Sequence, residues 1–153
     1  MNRTIFDEIV AGNIKSWKIW EDDTFLAFLT PFPNTPGVTV VIPKQNPGDY
    51  IFAIDDAVYG DFMRAVRQVA KLLERAFATP RVALVFEGTG VAHVHAKLVP
   101  LHGDLAKGIG SAVSHEQAFH EEYLGWLTTA DGPKMDDAQL DEIQARILAV
   151  QGK

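Results

Sequence analysis

Apolar residues recur at helical spacing along one long segment of the chain, from Asp55 to about Ala78. Positions three and four residues apart share one face of a helix, so the pattern predicts a long amphipathic helix that ends before Pro80. Its inward positions would be Val58, Phe62, Ala65, Val66, Val69, Leu72, Leu73 and Ala76. A basic stripe on the opposite, solvent-facing side comprises Arg64, Arg67, Lys71 and Arg75.

Short runs rich in β-branched and aromatic residues predict five strands. They lie at residues 17–21, 24–29, 38–42, 81–87 and 91–101. Between the last two, Gly88-Thr89-Gly90 suits a tight link between antiparallel neighbours. Because most strands are consecutive and only one long helix interrupts them, we expect an α+β fold with a five-stranded antiparallel sheet.

Shorter helices are predicted near both ends of the chain. Each begins with a residue that can cap a helix and a partner three positions later. These pairs are Thr4 with Asp7, Ser114 with Gln117, and Asp136 with Gln139. The first helix would turn Ile5, Phe6 and Ile9 inward, and the second would run to about Leu127. We expect a single domain over residues 1–153, with a C-terminal helical extension at about 114–150.

Composition and charge exclude several classes of protein. With 153 residues, 47% hydrophobic and 22% charged, the chain has globular proportions. It has no cysteine, which excludes disulfides, thiolate metal sites and a cysteine nucleophile. The apolar runs are shorter than a membrane span, and no signal-peptide core is visible, so we expect a cytoplasmic protein without a membrane partner. The net charge of −6 argues against a nucleic-acid partner.

The segment 93–97 carries the candidate chemistry. On a strand, His93, His95 and Lys97 would share one face, while Val94 and its apolar neighbours bury on the other. A neutral imidazole can attack phosphorus, and a nearby cation or glycine-flanked backbone N–H groups can hold phosphate oxygens. The spacing alone leaves three interpretations open: an exposed polar face with incidental histidines, phosphorus chemistry, or a metal site. Two histidines do not complete a zinc site.

Several motifs in order give the chain a resemblance to the histidine triad (HIT) family of nucleotide hydrolases and transferases. The resemblance covers about residues 4–101. The motifs are IFDEIVAG at 5–12, EDD at 21–23 with LAF at 26–28, NTPG at 34–37 with VVIPK at 40–44, and HVHAKLVP at 93–100.

This resemblance implies a five-stranded antiparallel sheet with one long helix, often assembled as a homodimer. It implies an enzyme without metal or cofactor that acts at the α-phosphate of a nucleotide phosphoramidate or phosphoanhydride, such as a dinucleoside polyphosphate. By position, His95 would form a nucleotidyl-histidine intermediate and His93 would orient it. The residues implied at the phosphate and nucleotide are Lys97, Gly88, Thr89, Gly90, Phe28 and Thr30.

The chain also departs from the family pattern at these positions. Lys97 replaces the third histidine, and an ammonium group is a poor proton shuttle near neutral pH. Thr30 stands where an aspartate commonly meets the ribose, and Phe86 stands at an asparagine position. Two hypotheses follow: a hydrolase or nucleotidyltransferase with an altered substrate, or a catalytically weak nucleotide-binding or regulatory protein.

Overall fold

The computed structural model describes residues 3–108, 114, 117–123, 125–129 and 132–150. The chain divides into two compact units, Met1–Ser111 and Ala112–Lys153. The first unit contains α1 (Ile5–Val10), α2 (Asp56–Phe77) and five strands. The strands are β1 (Trp17–Glu21), β2 (Phe25–Leu29), β3 (Thr39–Pro43), β4 (Val82–Val85) and β5 (Ala96–Pro100). The second unit contains α3 (Asp137–Leu148).

The strands form one sheet in the order β1-β2-β3-β5-β4. Every neighbouring pair is antiparallel, which confirms the α+β fold and the five-stranded antiparallel sheet. The first three strands lie within one residue of their predicted bounds, because alternating β-branched and aromatic residues mark them clearly.

Both faces of the sheet are covered. On one face, α2 packs against Phe25, Ala27, Val41, Ala96 and Leu98 of the central strands. On the other face, Phe6 and Ile9 of α1 join a second apolar cluster. The strand residues of that cluster are Leu26, Phe28, Val40 and Ile42. The short α1 therefore gains its stability from docking on the sheet, since six residues are too few for an isolated helix.

The two helices of the first unit begin as the sequence predicts. Thr4 and Asp7 form the capping box of α1, while Asp55 accepts a hydrogen bond from the Ala57 N–H at the start of α2. In α2 the buried side chains are Phe62, Ala65, Val66, Val69 and Leu73. In α1 Phe6 and Ile9 are buried, but Ile5 is exposed, contrary to prediction. With six residues, α1 directs only part of its surface toward the sheet.

The connection between β4 and β5 differs from the prediction. The tight link predicted at Gly88-Thr89-Gly90 is wrong, because residues 86–95 all lie between the two strands. The predicted strand at 91–101 is confirmed only over Ala96–Pro100. The backbone before Ala96 bonds elsewhere: the Val94 N–H donates to the Gly48 carbonyl at 2.6 Å, and the His93 N–H donates to the Val91 carbonyl. A long loop thus carries both histidines.

The second unit holds one of the two predicted C-terminal helices. Asp136 caps α3 by accepting from the Gln139 N–H. The helix predicted from Ser114 to Leu127 is wrong for residues 117–123 and 125–127, which are not helical. Residues 115, 116 and 124 of that prediction lie outside the described residues. Gly125 has a φ of 113°, which is incompatible with a right-handed helix, and the ring of His120 packs on Tyr123 and Trp126 instead. Within the described residues, no helix combines the length and apolar character needed to cross a membrane.

Candidate active site

The ring of His95 is fixed by a backbone carbonyl. Its Nδ1 lies 2.8 Å from the carbonyl oxygen of His93. A carbonyl can only accept a hydrogen bond, so Nδ1 carries the proton. In the neutral ring the lone pair is therefore on Nε2, the nitrogen on the opposite side. The side chain is largely buried and still lines a pocket, so the neutral ring is held in one tautomer, with the lone pair on Nε2.

The ring of His93 is fully buried and anchors the loop that carries it. Its Nε2 donates to the carbonyl of Pro43 at 2.7 Å, at the end of β3. Burial lowers the pKa of His93 below its usual value of 6.5. The Pro43 hydrogen bond and the charge of Asp7 oppose this shift without reversing it. His93 is therefore neutral at pH 7, with its Nδ1 free to accept a hydrogen bond.

The N-terminus of α1 contacts that second nitrogen. The Nδ1 of His93 lies 3.4 Å from the Thr4 hydroxyl and 3.7 Å from a carboxylate oxygen of Asp7. Asp7 accepts from the Thr4 N–H and hydroxyl, and the first of these bonds is the main reason that the pKa of Asp7 is lowered. The capping box of α1 thus doubles as the outer support of the histidine loop.

Phe6 joins the two histidines into one packed group. Its ring meets those of His93 and His95 edge to face, with centroids 5.7 and 5.2 Å apart. From the other side, the Asn46 side chain donates to the Ala92 carbonyl at 2.7 Å. The loop before β5 is therefore held by α1 and by residues 46–48, although it has no strand partner there.

A pocket of about 350 Å³ opens beside His95, on the side of the sheet that α1 covers. Phe28, Val40 and Lys97 are cross-strand neighbours on β2, β3 and β5, and all three line it. Ile14 and Trp17 add apolar walls. The pocket therefore offers an apolar surface next to an imidazole and an ammonium group, which suits a ligand with a flat apolar part and an anionic part.

Lys97 is already paired in this structure. Its ammonium group forms an ion pair with the carboxylate of Glu87, and the Lys97 and Glu87 side chains are 42% and 20% exposed. The two residues come close together because Val85 lies opposite Lys97 in the sheet and Glu87 is two residues beyond Val85. The cation at the pocket thus has an internal counter-ion.

Comparison with known proteins assigns the chain to a family. The profile of the HIT domain matches residues 11–104, more than half of the chain. The chain belongs to the HIT domain family. An uncharacterised HIT-like protein of Mycoplasma genitalium is 31% identical to it over 126 residues, covering 78% of this chain and 88% of the relative.

Solved structures of HIT proteins have the same fold. A HIT family member from Bacillus subtilis superposes with a TM-score of 0.65 at 26% identity and covers 99% of both chains. A HIT family hydrolase from Legionella pneumophila, 24% identical, gives a TM-score of 0.58 over 66% of this chain and 95% of its own length. Membership of the HIT domain family supports a nucleotide-binding function of the HIT type.

Most of the site residues predicted from the sequence meet at this pocket of the HIT domain. His95 and Lys97 line it together with Phe28, Thr30, Thr89 and Gly90. His93 lies behind it as an anchor. Gly88 does not line it; its φ of 68° is left-handed, which glycine tolerates, and a Cβ at this position would come within 3.4 Å of the Tyr50 ring. Of the three interpretations left open from spacing alone, the exposed polar face does not hold for the two histidines, which are buried where α1 covers them.

Three contacts of the HIT domain site were not predicted from the sequence. They are the docking of Thr4 and Asp7 on His93, the packing of Phe6 on both imidazoles, and the Glu87–Lys97 pair. Each joins segments distant in sequence or beyond a strand end, so no local pattern could reveal it. Among the described residues, no group of three or more histidine, cysteine or acidic side chains is placed to hold a metal ion.

Proposed function

We propose that this protein is a nucleotide hydrolase or nucleotidyltransferase of the HIT type, with His95 as its nucleophile. The observation that carries the proposal is the hydrogen bond from His95 Nδ1 to the His93 carbonyl, which leaves the lone pair on Nε2 beside a pocket. The substrate class is a nucleotide phosphoramidate or phosphoanhydride.

In the first step, the Nε2 lone pair of His95 attacks the α-phosphorus. A phosphorus–nitrogen bond forms while the bond from phosphorus to the leaving group breaks, and the leaving group takes that electron pair and a proton from the solvent. In the second step, water or another hydroxyl acceptor attacks the same phosphorus. The bond to Nε2 breaks, a proton is released, and His95 returns to its neutral state. With water as acceptor, the sum is hydrolysis to a nucleoside monophosphate.

The other pocket residues have supporting roles in this proposal. Lys97 and the Thr89 hydroxyl, with backbone N–H groups of residues 88–90, would hold phosphate oxygens as charge develops on them. Phe28 and the apolar walls would receive the base, and Thr30 would contact the ribose. Thr30 already accepts a hydrogen bond from the Phe32 N–H at 3.2 Å, so its hydroxyl has one proton left to donate.

Partners and location belong to the same proposal. We expect a homodimer in the cytoplasm that binds a small phosphorylated ligand, without nucleic acid, membrane, metal or cofactor. The acidic net charge of −6 supports a small-molecule ligand over a polynucleotide.

The Glu87–Lys97 pair favours a second candidate, a nucleotide-binding protein with little turnover. Lys97 stands at the position of the third histidine, and its charge is already neutralised by Glu87. It is therefore poorly suited to move a proton to a leaving group. This candidate predicts binding by both the native protein and His95→Ala, with no product from either.

Intact-protein mass spectrometry after rapid mixing separates the two candidates. The panel contains adenosine and guanosine phosphoramidates, dinucleoside polyphosphates and nucleotide sugars. We expect a transient mass gain of one nucleoside monophosphate, lost in His95→Ala and retained in His102→Ala. His102 is the matched control, because it is a half-buried histidine outside the pocket that bonds the Pro36 carbonyl. Product formed at the native rate by His95→Ala would refute the mechanism.

A further inference from the structure

The Glu87–Lys97 ion pair lies at the edge of the pocket, yet Glu87 has no place in the chemistry described above. Lys97 lines the pocket beside His95, and its charge is compensated by a carboxylate that is the more buried of the two. A ligand phosphate that approaches Lys97 therefore meets an ammonium group that is already paired with the carboxylate of Glu87. It also meets a fixed negative charge that water screens only in part.

The register of the sheet gives the position of that charge relative to the nucleophile. Val85 at the end of β4 lies opposite Lys97, and β4 and β5 run antiparallel. Glu87 is two residues beyond Val85, in the loop that also carries His95, and its carboxylate pairs with the Lys97 ammonium group. Glu87 does not itself line the pocket, but its carboxylate pairs with Lys97, which does. This pair lies toward the β4 end of the strand order, whereas the apolar wall at Trp17 belongs to β1 at the other end.

We propose that Glu87 is a specificity-determining residue, which selects against substrates whose leaving group carries negative charge. The inference rests on the proposed function and narrows its substrate class. A polyphosphate leaving group brings several anionic oxygens to the flank that Glu87 occupies. An amine leaving group brings none, and an amine with an additional ammonium group is attracted. The site is therefore built for a nucleotide phosphoramidate of an amine rather than a dinucleoside polyphosphate.

The first test measures equilibrium binding in a His95→Ala background, in which the proposed turnover is blocked. The probes are an alkylamine phosphoramidate of AMP, AMP itself and ADP, which carry successively more negative charge, with the guanosine series in parallel. We expect affinity to fall along the series. Adding Glu87→Gln should raise the affinity for ADP about tenfold and change that for the phosphoramidate less than twofold.

The matched control is Glu74→Gln. Glu74 is paired with Lys71 on α2, so the control removes a carboxylate from another lysine pair outside the pocket. It should leave every affinity within twofold. A second variant, Lys97→Gln, leaves Glu87 without its partner and should widen the preference for the phosphoramidate. Thermal unfolding of each variant checks that it is folded.

The outcomes separate the two proposals. An unchanged ADP-to-phosphoramidate affinity ratio in Glu87→Gln, or an equal change in Glu74→Gln, overturns the role of Glu87. Absence of binding by every probe overturns it as well. The protein that retains His95 could form no covalent adduct while Glu87 still controls the ADP-to-phosphoramidate affinity ratio. That outcome would refute catalysis by His95 and leave the charge selection by Glu87 standing.

Discussion

At the scale of single residues, His93 and His95 take different parts in the site. The ring of His95 lines the pocket, whereas His93 acts on that ring through its backbone carbonyl. His95 is oriented by the carbonyl of His93, which every residue at position 93 would retain. The imidazole of His93 instead fills a buried space and bonds the Pro43 carbonyl. The ring of His93 therefore holds the loop in place.

Substitution of His93 tests this division of roles. His93→Ala should lower the free energy of unfolding by about 2–4 kcal/mol, since it creates a cavity and leaves the Pro43 carbonyl unpaired. His93→Gln keeps a donor at a similar distance and should lose about half as much, with more of the native turnover retained. Urea unfolding and steady-state kinetics measure both. Equal turnover in the two variants would show that the ring does not position His95.

The lowered pKa of His93 predicts a pH dependence of stability. The folded state has the lower pKa, so below the unfolded value of 6.5 the unfolded chain binds more protons at this residue. The stability due to neutral His93 is complete above that value and is lost as the pH falls toward the folded pKa. Urea unfolding between about pH 5 and 7.5 should show this loss, and His93→Gln should flatten the slope.

Asp7 provides an independent check on that interpretation. Its charge raises the pKa of His93, so Asp7→Asn should lower that pKa further and extend the loss of stability to more acidic pH. The stabilisation from Asp7 itself is present above its unfolded value of 3.8 and fades only below it, outside the range measured for His93. A slope in Asp7→Asn that matches the native protein would contradict the coupling between these residues.

At the scale of elements, α1 links the sheet to the loop that carries His93 and His95. The Thr4 hydroxyl accepts from the Asp7 N–H at 3.2 Å and donates to the Asp7 carboxylate at 2.8 Å. Thr4→Ala removes both bonds and should destabilise the protein by about 1 kcal/mol. Turnover should fall as well, because Phe6 then packs less firmly on His95.

Thr4→Ser is the matched control for α1, because it keeps the hydroxyl and loses a methyl group. It should remain near the native protein in both urea unfolding and turnover. If the serine and alanine variants lose activity equally, the methyl group rather than the capping box supports the site.

The elements differ in how far the sequence could predict them. The long helix and the first three strands are marked by local periodicity and capping residues. Their observed bounds therefore lie close to the predicted ones. The segment 91–95 alternates like a strand, but its backbone bonds are made with residue 48 and within the loop. An alternating pattern indicates which side chains lie on the same face of the segment. The buried Val94, on the other face from His95, agrees with this pattern. It does not report whether a neighbouring strand is present.

At the scale of the whole molecule, the site is assembled from α1, β2, β3, β5 and the loop between β4 and β5. The sequence identified the residues of β2, β5 and the loop through the order of its motifs, in which His95 and Lys97 are two residues apart. It could not identify Thr4, Asp7 or Glu87 as parts of the site. Their roles depend on where α1 docks and on the β4–β5 register, which are determined by tertiary packing.

The sheet also has a consequence for assembly, because its two outer strands are unlike. The β1 edge carries Lys18 and Glu21 and an irregular register between Lys18 and Trp20, features that discourage pairing with another chain. The β4 edge is uncharged, and its Leu84 is 40% exposed. We therefore predict that the expected homodimer forms by antiparallel pairing of β4 with β4 of a second copy.

Leu84→Lys tests the predicted dimer by placing a positive charge on β4 of each copy, at the predicted interface. Sedimentation equilibrium should give twice the chain mass of 16.9 kDa for the native protein and a single chain mass for the variant. Trp17→Lys is the control on β1, where the replaced side chain is 48% exposed, and should stay dimeric. A monomeric native protein would exclude the dimer, and dissociation by Trp17→Lys alone would move the interface to β1. Because β4 leads directly to Glu87, a dimer through β4 would also stabilise the flank of the pocket that carries the counter-ion of Lys97.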